Sequence, residues 1–439
     1  MMTRASAFLL AAAASLLLSL PVVGASRTVP ATPSGKPSSR KTARPAPKPI
    51  DLMWHVETLD GEVVDSSHAD DFLNPASVVK VATSLWALER LGPDYRFESR
   101  FYTGGTVDAG KGLLRGDLVV EGTGDPDFHA ENAFLVAEAL NRRSVRRVTG
   151  AVVVNARFWM GWEGGSAGTD ADANRRALKM ATRLRQALDP NRWNSEIRSA
   201  WAEFAARRGL PRNRPFRVEV LGGVKYSLAD PPDDLLLVHR GNPLVDSLRR
   251  FNCYSNNDIE RVGVVLGQPA DLAGILAARL GAAPDTVRLE TTSGLGSNRL
   301  SPRQVVNLLR QFRQTSERLG LGVEELLPVA GCDPGTVSHF FPLLAGGANA
   351  TAMVGKTGTL TATDGGVSVL AGFVNTGRGD LVFCVAAPNS GRYLHLARRS
   401  EERFVLDLLA RSGGPHPRTC APPLPSSDGA AAIVVGGRG

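Results

Sequence analysis

Three short words stand far apart in this chain, in one order: Ser77-Val78-Val79-Lys80, Ser255-Asn256-Asn257 and Lys356-Thr357-Gly358. They read S-x-x-K, S-x-N and K-T-G. Each is short enough to arise by chance, and Ser38-Ser39-Arg40-Lys41 repeats the first in a proline-rich stretch. Taken singly, Ser77 is a helix cap, Ser255-Asn256-Asn257 an Asn-rich turn and Lys356 a snorkelling lysine at a strand end. Taken together, they require residues from both ends of the chain to build one domain.

The chemistry they share explains why. A serine hydroxyl is a poor nucleophile until a base takes its proton. If Ser77 opens a helix, Lys80 lies one turn on and on the same face. The amine must be neutral to act as base, and burial or a nearby cation lowers a lysine pKa. Lys356 could supply that charge, and the helix N-terminus adds positive potential. Ser255 and Asn257, first and third in an extended turn, could point the same way. A hydroxyl there relays a proton to a departing amine. A carboxamide binds both Lys80 and a substrate amide. Lys356 and Thr357 would bind a carboxylate, and Gly358 would let a substrate backbone approach the strand. Backbone N–H groups at Ser77 and Thr359 would form an oxyanion hole.

The 439 residues allow two or three domains. Residues 1–25 read as a signal peptide: Arg4, an apolar run from Ala5 to Leu20, and Val23-Gly24-Ala25 suited to cleavage after Ala25. An uncleaved membrane anchor is the alternative. Residues 26–50 carry six cations and no acid among Pro, Ser, Thr and Ala, and read as an extended tether. With Arg4 they account for all but about one of the formal charge of +8. A nucleic-acid surface on the folded part is therefore not indicated. The tether is suited to peripheral attraction to an anionic envelope surface. Residues 412–439 read as a disordered tail. Four cysteines without C-x-x-C, and seven histidines without ligand spacing, predict no metal and no cofactor. Spacing assigns no disulfide, and Cys384 in its apolar run reads as a buried thiol.

Asp51 to Val64 predicts two strands around Leu59-Asp60-Gly61-Glu62. Ser77 to about Leu91 predicts a helix with Val78, Val81, Ala82, Leu85 and Leu88 on one face, stopped by Gly92-Pro93. Strands alternate with glycines over 97–160, and 171–209 reads as helical. Thr351–Lys356, Val367–Val374 and Leu381–Ala387 read as three apolar strands, followed by a helix from near Tyr393. The expected architecture is an α/β catalytic domain over 51–96 and 240–411. An antiparallel sheet there carries helices on both faces. A smaller, mostly β insert takes 97–239.

With these words in register, the chain resembles the class C low-molecular-mass penicillin-binding proteins, serine-type D-Ala-D-Ala carboxypeptidases/endopeptidases with an insert between the first two motifs. Leu118-Val119-Val120-Glu121-Gly122-Thr123-Gly124-Asp125-Pro126, Asn242-Pro243-Leu244, Ser293-Gly294-Leu295 and Leu327-Pro328-Val329-Ala330-Gly331 also resemble family segments. The resemblance implies a transpeptidase-like fold, export to the periplasm or cell exterior, and peptidoglycan stem peptides as substrate. β-Lactams would be covalent inhibitors. It assigns catalysis to Ser77, Lys80, Ser255, Asn257 and Lys356, and substrate binding to Thr357, Gly358 and Thr359. The insert is shorter than in members with two inserted domains. Asn155 stands where the family has an aspartate that binds a substrate amine, with Asp125 and Asp127 as other candidates for that acid. His339-Phe340 stands where an arginine is expected, and Thr361 to Gly366 lengthens the hairpin after K-T-G. These departures predict weak selection for a free diaminopimelyl end.

Overall fold

The computed structural model describes residues 50–163 and 172–435. The expected signal peptide, and all of the tether except Ile50, lie outside the described residues. The chain enters as β1 (Met53–Thr58), β2 (Val63–Ser67) and α1 (Val79–Leu91). A second group follows: β3 (Glu98–Asp108), β4 (Leu113–Gly122), α2 (Ala130–Arg142), β5 (Arg147–Val148), β6 (Val152–Val154), α3 (Ala173–Leu188), α4 (Ser195–Arg207), β7 (Glu219–Val220), β8 (Val224–Tyr226) and β9 (Leu235–Arg240). Next come α5 (Leu244–Tyr254), α6 (Glu260–Leu266), α7 (Pro269–Leu280), α8 (Pro302–Arg318) and a short α9 (Thr336–Phe340). The hairpins β10 (Met353–Leu360), β11 (Val367–Thr376) and β12 (Gly379–Pro388), then α10 (Leu394–Arg411) and β13 (Ala432–Val435), complete it.

The first sheet runs β10-β11-β12-β1-β2 and is antiparallel throughout. The N-terminal hairpin pairs with β12, so both ends of the chain build it. Side chains alternate between faces along a strand, and both faces are covered. Val367, Val369, Ala371 and Phe373 of β11 join the core around α1, α5 and α8. Leu370 and Val374 join Val405, Leu408 and Leu409 of α10. Two apolar faces leave no polar alternation to see in the sequence. The same holds for α1, buried at every residue from Val79 to Leu88. The sequence suggests a single apolar stripe. Here the sheet lies on one side and α5 to α8 close the other, so Lys80, Thr83 and Ser84 are buried as well.

The second sheet is mixed. β13, β9, β3 and β4 pair antiparallel, while β4 pairs with β5 and β6, β5 with β7, and β6 with β8 in parallel. Parallel neighbours need long crossovers, usually helical. α2, α3 and α4 belong to them, and α2 and α3 bury Val136, Leu140, Ala181 and Leu184 against Val152 and Val154. The insert is therefore α/β, not mostly β.

The C-terminus departs most from expectation. Residues 412–435 are ordered, not a disordered tail. Cys420 is disulfide-bonded to Cys332. Arg249 donates to the Pro422 carbonyl at 2.6 Å, Arg250 to Pro425, and Asn242 to Ser426 at 2.9 Å. Arg207 pairs with Asp428 at 2.9 Å, and β13 extends the second sheet beside β9. A Pro-rich segment offers few N–H donors but every carbonyl. Basic side chains elsewhere supply the donors, so the segment needs no periodicity of its own. The remaining cysteines, Cys253 and Cys384, are free and buried.

Candidate active site

The first word sits on a tight turn. Ala76 has φ of +48°, a left-handed conformation that costs a non-glycine residue about 1–2 kcal/mol. Asn74 supports it: its Oδ1 accepts from Ala76 N at 3.0 Å, and its Nδ2 donates to the Gly296 carbonyl and to Asp364. Two glycines make room. A Cβ on Gly294 would lie 1.9 Å from the Ala76 oxygen, and one on Gly358 would lie 2.5 Å from the Pro75 oxygen. The close approach that Gly358 serves is thus the docking of this turn on β10.

Residues 76–78 form a 3₁₀ turn leading into α1. Such a turn nearly eclipses residues three apart, which brings Lys80 beneath Ser77. Lys80 Nζ lies 2.8 Å from Ser77 Oγ, 2.8 Å from Asn257 Oδ1 and 2.6 Å from the Ser293 carbonyl. A neutral amine has two N–H donors and one lone pair. The two carbonyl-type oxygens can only accept, and the Ser77 hydroxyl can donate, so the three partners match that form. Burial, with help from the Lys356 cation, pushes the Lys80 pKa well below the ordinary lysine value, against a smaller pull from Glu260. Glu260 also fixes the shelf beside Lys80, accepting from Thr292 N at 3.1 Å and Ser293 N at 2.9 Å.

The second word is not an extended turn. Ser255 ends α5 in a left-handed conformation at φ +52°. Asn256 Oδ1 caps the 3₁₀ turn Asn257–Ile259. The Ser255 and Asn257 side chains therefore reach different lysines. Asn257 meets Lys80, and Ser255 Oγ accepts from Lys356 Nζ at 2.8 Å. Lys356 is fully buried and also donates to the Thr357 carbonyl at 2.9 Å; burial lowers its pKa to about 7. Thr357 Oγ1 lies 2.7 Å from Thr336 Oγ1, and Thr359 Oγ1 accepts from Arg398 at 3.2 Å.

A family model described as the D-Ala-D-Ala carboxypeptidase 3 (S13) family matches residues 53–177 and 217–407. The chain belongs to that family. A predatory endopeptidase from Bdellovibrio bacteriovorus, solved with an immunity protein, superposes with a TM-score of 0.73 at 21% identity, covering 88% of this chain and 99% of that one. Another predatory endopeptidase from that organism, acylated by penicillin G and also with an immunity protein, gives 0.70 at 21% identity, covering 88% and 100%. These likenesses concern the fold, a penicillin-binding transpeptidase-like domain built from both ends of the chain. D-alanyl-D-alanine carboxypeptidase DacB from Haemophilus influenzae is 24% identical over 107 residues, 23% of this chain and 22% of that protein's length.

The S13 resemblance directs attention to Asn155, but its side chain is occupied. Its Oδ1 accepts from Gly122 N at 3.0 Å and Arg157 N at 3.2 Å, and its Nδ2 donates to the Gly122 carbonyl at 3.0 Å. An aspartate could not make the last bond. Asp125 accepts from Asp127 N at 2.9 Å, and burial raises it to about 7. Asp127 pairs with Arg250 at 3.0 Å and His129 at 3.1 Å. All three serve the fold around α5 and the insert. The structure also brings in groups the sequence reading missed: the Ser293 carbonyl, Glu260, Thr336 and Arg398. Only Ser293-Gly294 left a trace, as a family-like segment. A carbonyl leaves no mark in residue type, and a lone Thr336 or Arg398 on a helix does not stand out from ordinary helix residues.

Proposed function

We propose that this protein is an exported, penicillin-sensitive serine peptidase. It cleaves D-Ala-D-Ala or related D-amino-acid bonds of peptidoglycan stem peptides through an acyl-enzyme on Ser77. The observation that carries the reading is the buried Lys80 amine, 2.8 Å from both Ser77 Oγ and Asn257 Oδ1. Family membership and the penicillin-acylated fold relative support it.

Ser77 Oγ attacks the carbonyl carbon as its proton passes to the Lys80 lone pair. Backbone N–H groups at Ser77 and Thr359 stabilise the oxyanion. The proton then reaches the departing amine, with the Ser255 hydroxyl as relay beside Lys356. The C–N bond breaks, and the acyl group stays on Ser77. Water attacks the ester as Lys80 takes one of its protons; the acyl C–Oγ bond then breaks, Lys80 returns the proton to Ser77 Oγ, and the acid leaves. Asn257 holds Lys80 and the substrate amide; Lys356, Thr357 and Thr359 face the carboxylate end, and Gly358 keeps the strand close to the nucleophile turn. Residues 1–25 direct export, and 26–50 act as a tether attracted to anionic envelope surfaces.

A fluorescent penicillin followed over time tests this. Stable label on the wild-type chain, mapped to the Ser77 peptide and absent from Ser77→Ala, is expected. Label on another serine would refute the assignment. Absence of label altogether would favour a protein that grips wall peptide without acylation.

A further inference from the structure

One cation at the strand end belongs to none of the three words. Arg398 on α10 lays its guanidinium over Phe340, 3.5 Å from the ring centroid, and donates to Thr359 Oγ1 at 3.2 Å. Phe340 belongs to the pair His339-Phe340 that stands where the resemblance implies an arginine, and the Arg398 guanidinium rests on it from another helix. Arg398 is half-buried and makes no salt bridge among the described residues. The acid one turn along, Glu401, is turned to β11 instead: its Oε2 accepts from Ser368 Oγ at 2.7 Å. Burial raises Glu401 to about 8, so it keeps its proton at neutral pH and does not neutralise Arg398. Ser368 and Thr359 are cross-strand partners, which places Ser368–Glu401 and Arg398 behind the same strand position.

A half-buried guanidinium that no carboxylate contacts directly is costly unless an anion completes it; Glu401 acts on it only from a distance. Thr359 accepts from Arg398 and keeps its own O–H to donate. Thr357, two residues away, shares its face of the strand. Two hydroxyls and a planar fork are suited to a carboxylate, which arginine can hold by two parallel bonds.

Resting on the function proposed above, we infer that Arg398 is a specificity-determining residue. It receives the free α-carboxylate of the residue that leaves on cleavage, and the thiazolidine carboxylate of a penicillin in the same place. Phe340 is its platform.

The test compares acylation by penicillin G and by its methyl ester, read by intact mass, in the full wild-type chain, Arg398→Gln and Arg398→Lys. For Arg398→Gln the acid-over-ester rate ratio should fall tenfold or more, with the ester rate changed less than threefold. Arg398→Lys keeps the charge but not the fork and should lose at least threefold in the ratio; it carries the test if the glutamine variant fails to fold. Equal losses with both probes, or none with either, would overturn the role of Arg398 and leave the proposed function standing. No acylation of the wild-type chain by either probe would overturn both.

Discussion

The pocket around Ser77 and Lys80 and the corner of the insert around Asn155 handle polar groups in opposite ways. In the pocket, partners come from far apart in sequence: Lys80 meets Asn257 across 177 positions and the Ser293 carbonyl across 213. In the insert, Asn155 bonds the main chain of Gly122 and Arg157, and Asp125 the main chain of Asp127. The first arrangement leaves a lone pair, a hydroxyl and a displaced pKa ready for chemistry. Asn155 spends its side chain on main-chain geometry. A polar residue at a suggestive position is informative only when its partners are known.

Removing Lys80 should break this contrast most severely. Lys80→Ala should slow acylation by roughly 10²-fold or more, the usual worth of a positioned base, and near-native acylation would place the pocket on the architectural side. Next comes the C-terminal segment. Cys420→Ser opens a cross-link spanning 88 positions, worth typically about 2–4 kcal/mol. A clear drop in Tm is expected, and an unchanged melt would return the segment to the status of a tail. Asn155→Asp sharpens the other half. It removes one hydrogen bond and sets a carboxylate against the Gly122 carbonyl, at a cost of about 1–3 kcal/mol. Tm should fall while the penicillin labelling rate changes less than threefold. A faster rate on peptides with a free diaminopimelyl end, at unchanged Tm, would show that an acid at position 155 can serve recognition.

Much of the first sheet was legible, since its strands are apolar runs between turns and the motif order required both chain ends. The five catalytic candidates were legible as residue types. Their arrangement was not: the second word is a helix end followed by a 3₁₀ turn, and Gly358 faces Pro75. The insert's helices were read from 171–209, yet their weight was underestimated because the parallel pairs β5–β7 and β6–β8 are only two and three residues long. The order of residues 412–435 is not legible in composition because the segment is held through its carbonyls. Arg398 was invisible because its significance lies in what it touches.

The central claim is that a neutral Lys80 activates Ser77. The most direct measurement is the acylation rate of the wild-type chain by penicillin G across pH 5 to 10. Burial and the neighbouring Lys356 hold the Lys80 pKa well below its ordinary value, so the amine becomes neutral, and the rate reaches its maximum, far below pH 10. Lys356, lowered to about 7, loses its charge as pH rises through that value, so carboxylate binding weakens and the rate falls on the alkaline side. The expected profile is a bell whose maximum lies well below pH 10 and whose two limbs belong to the coupled pair. A rate that climbs tenfold per pH unit to pH 10 would mean an ordinary, charged Lys80 and would contradict the mechanism.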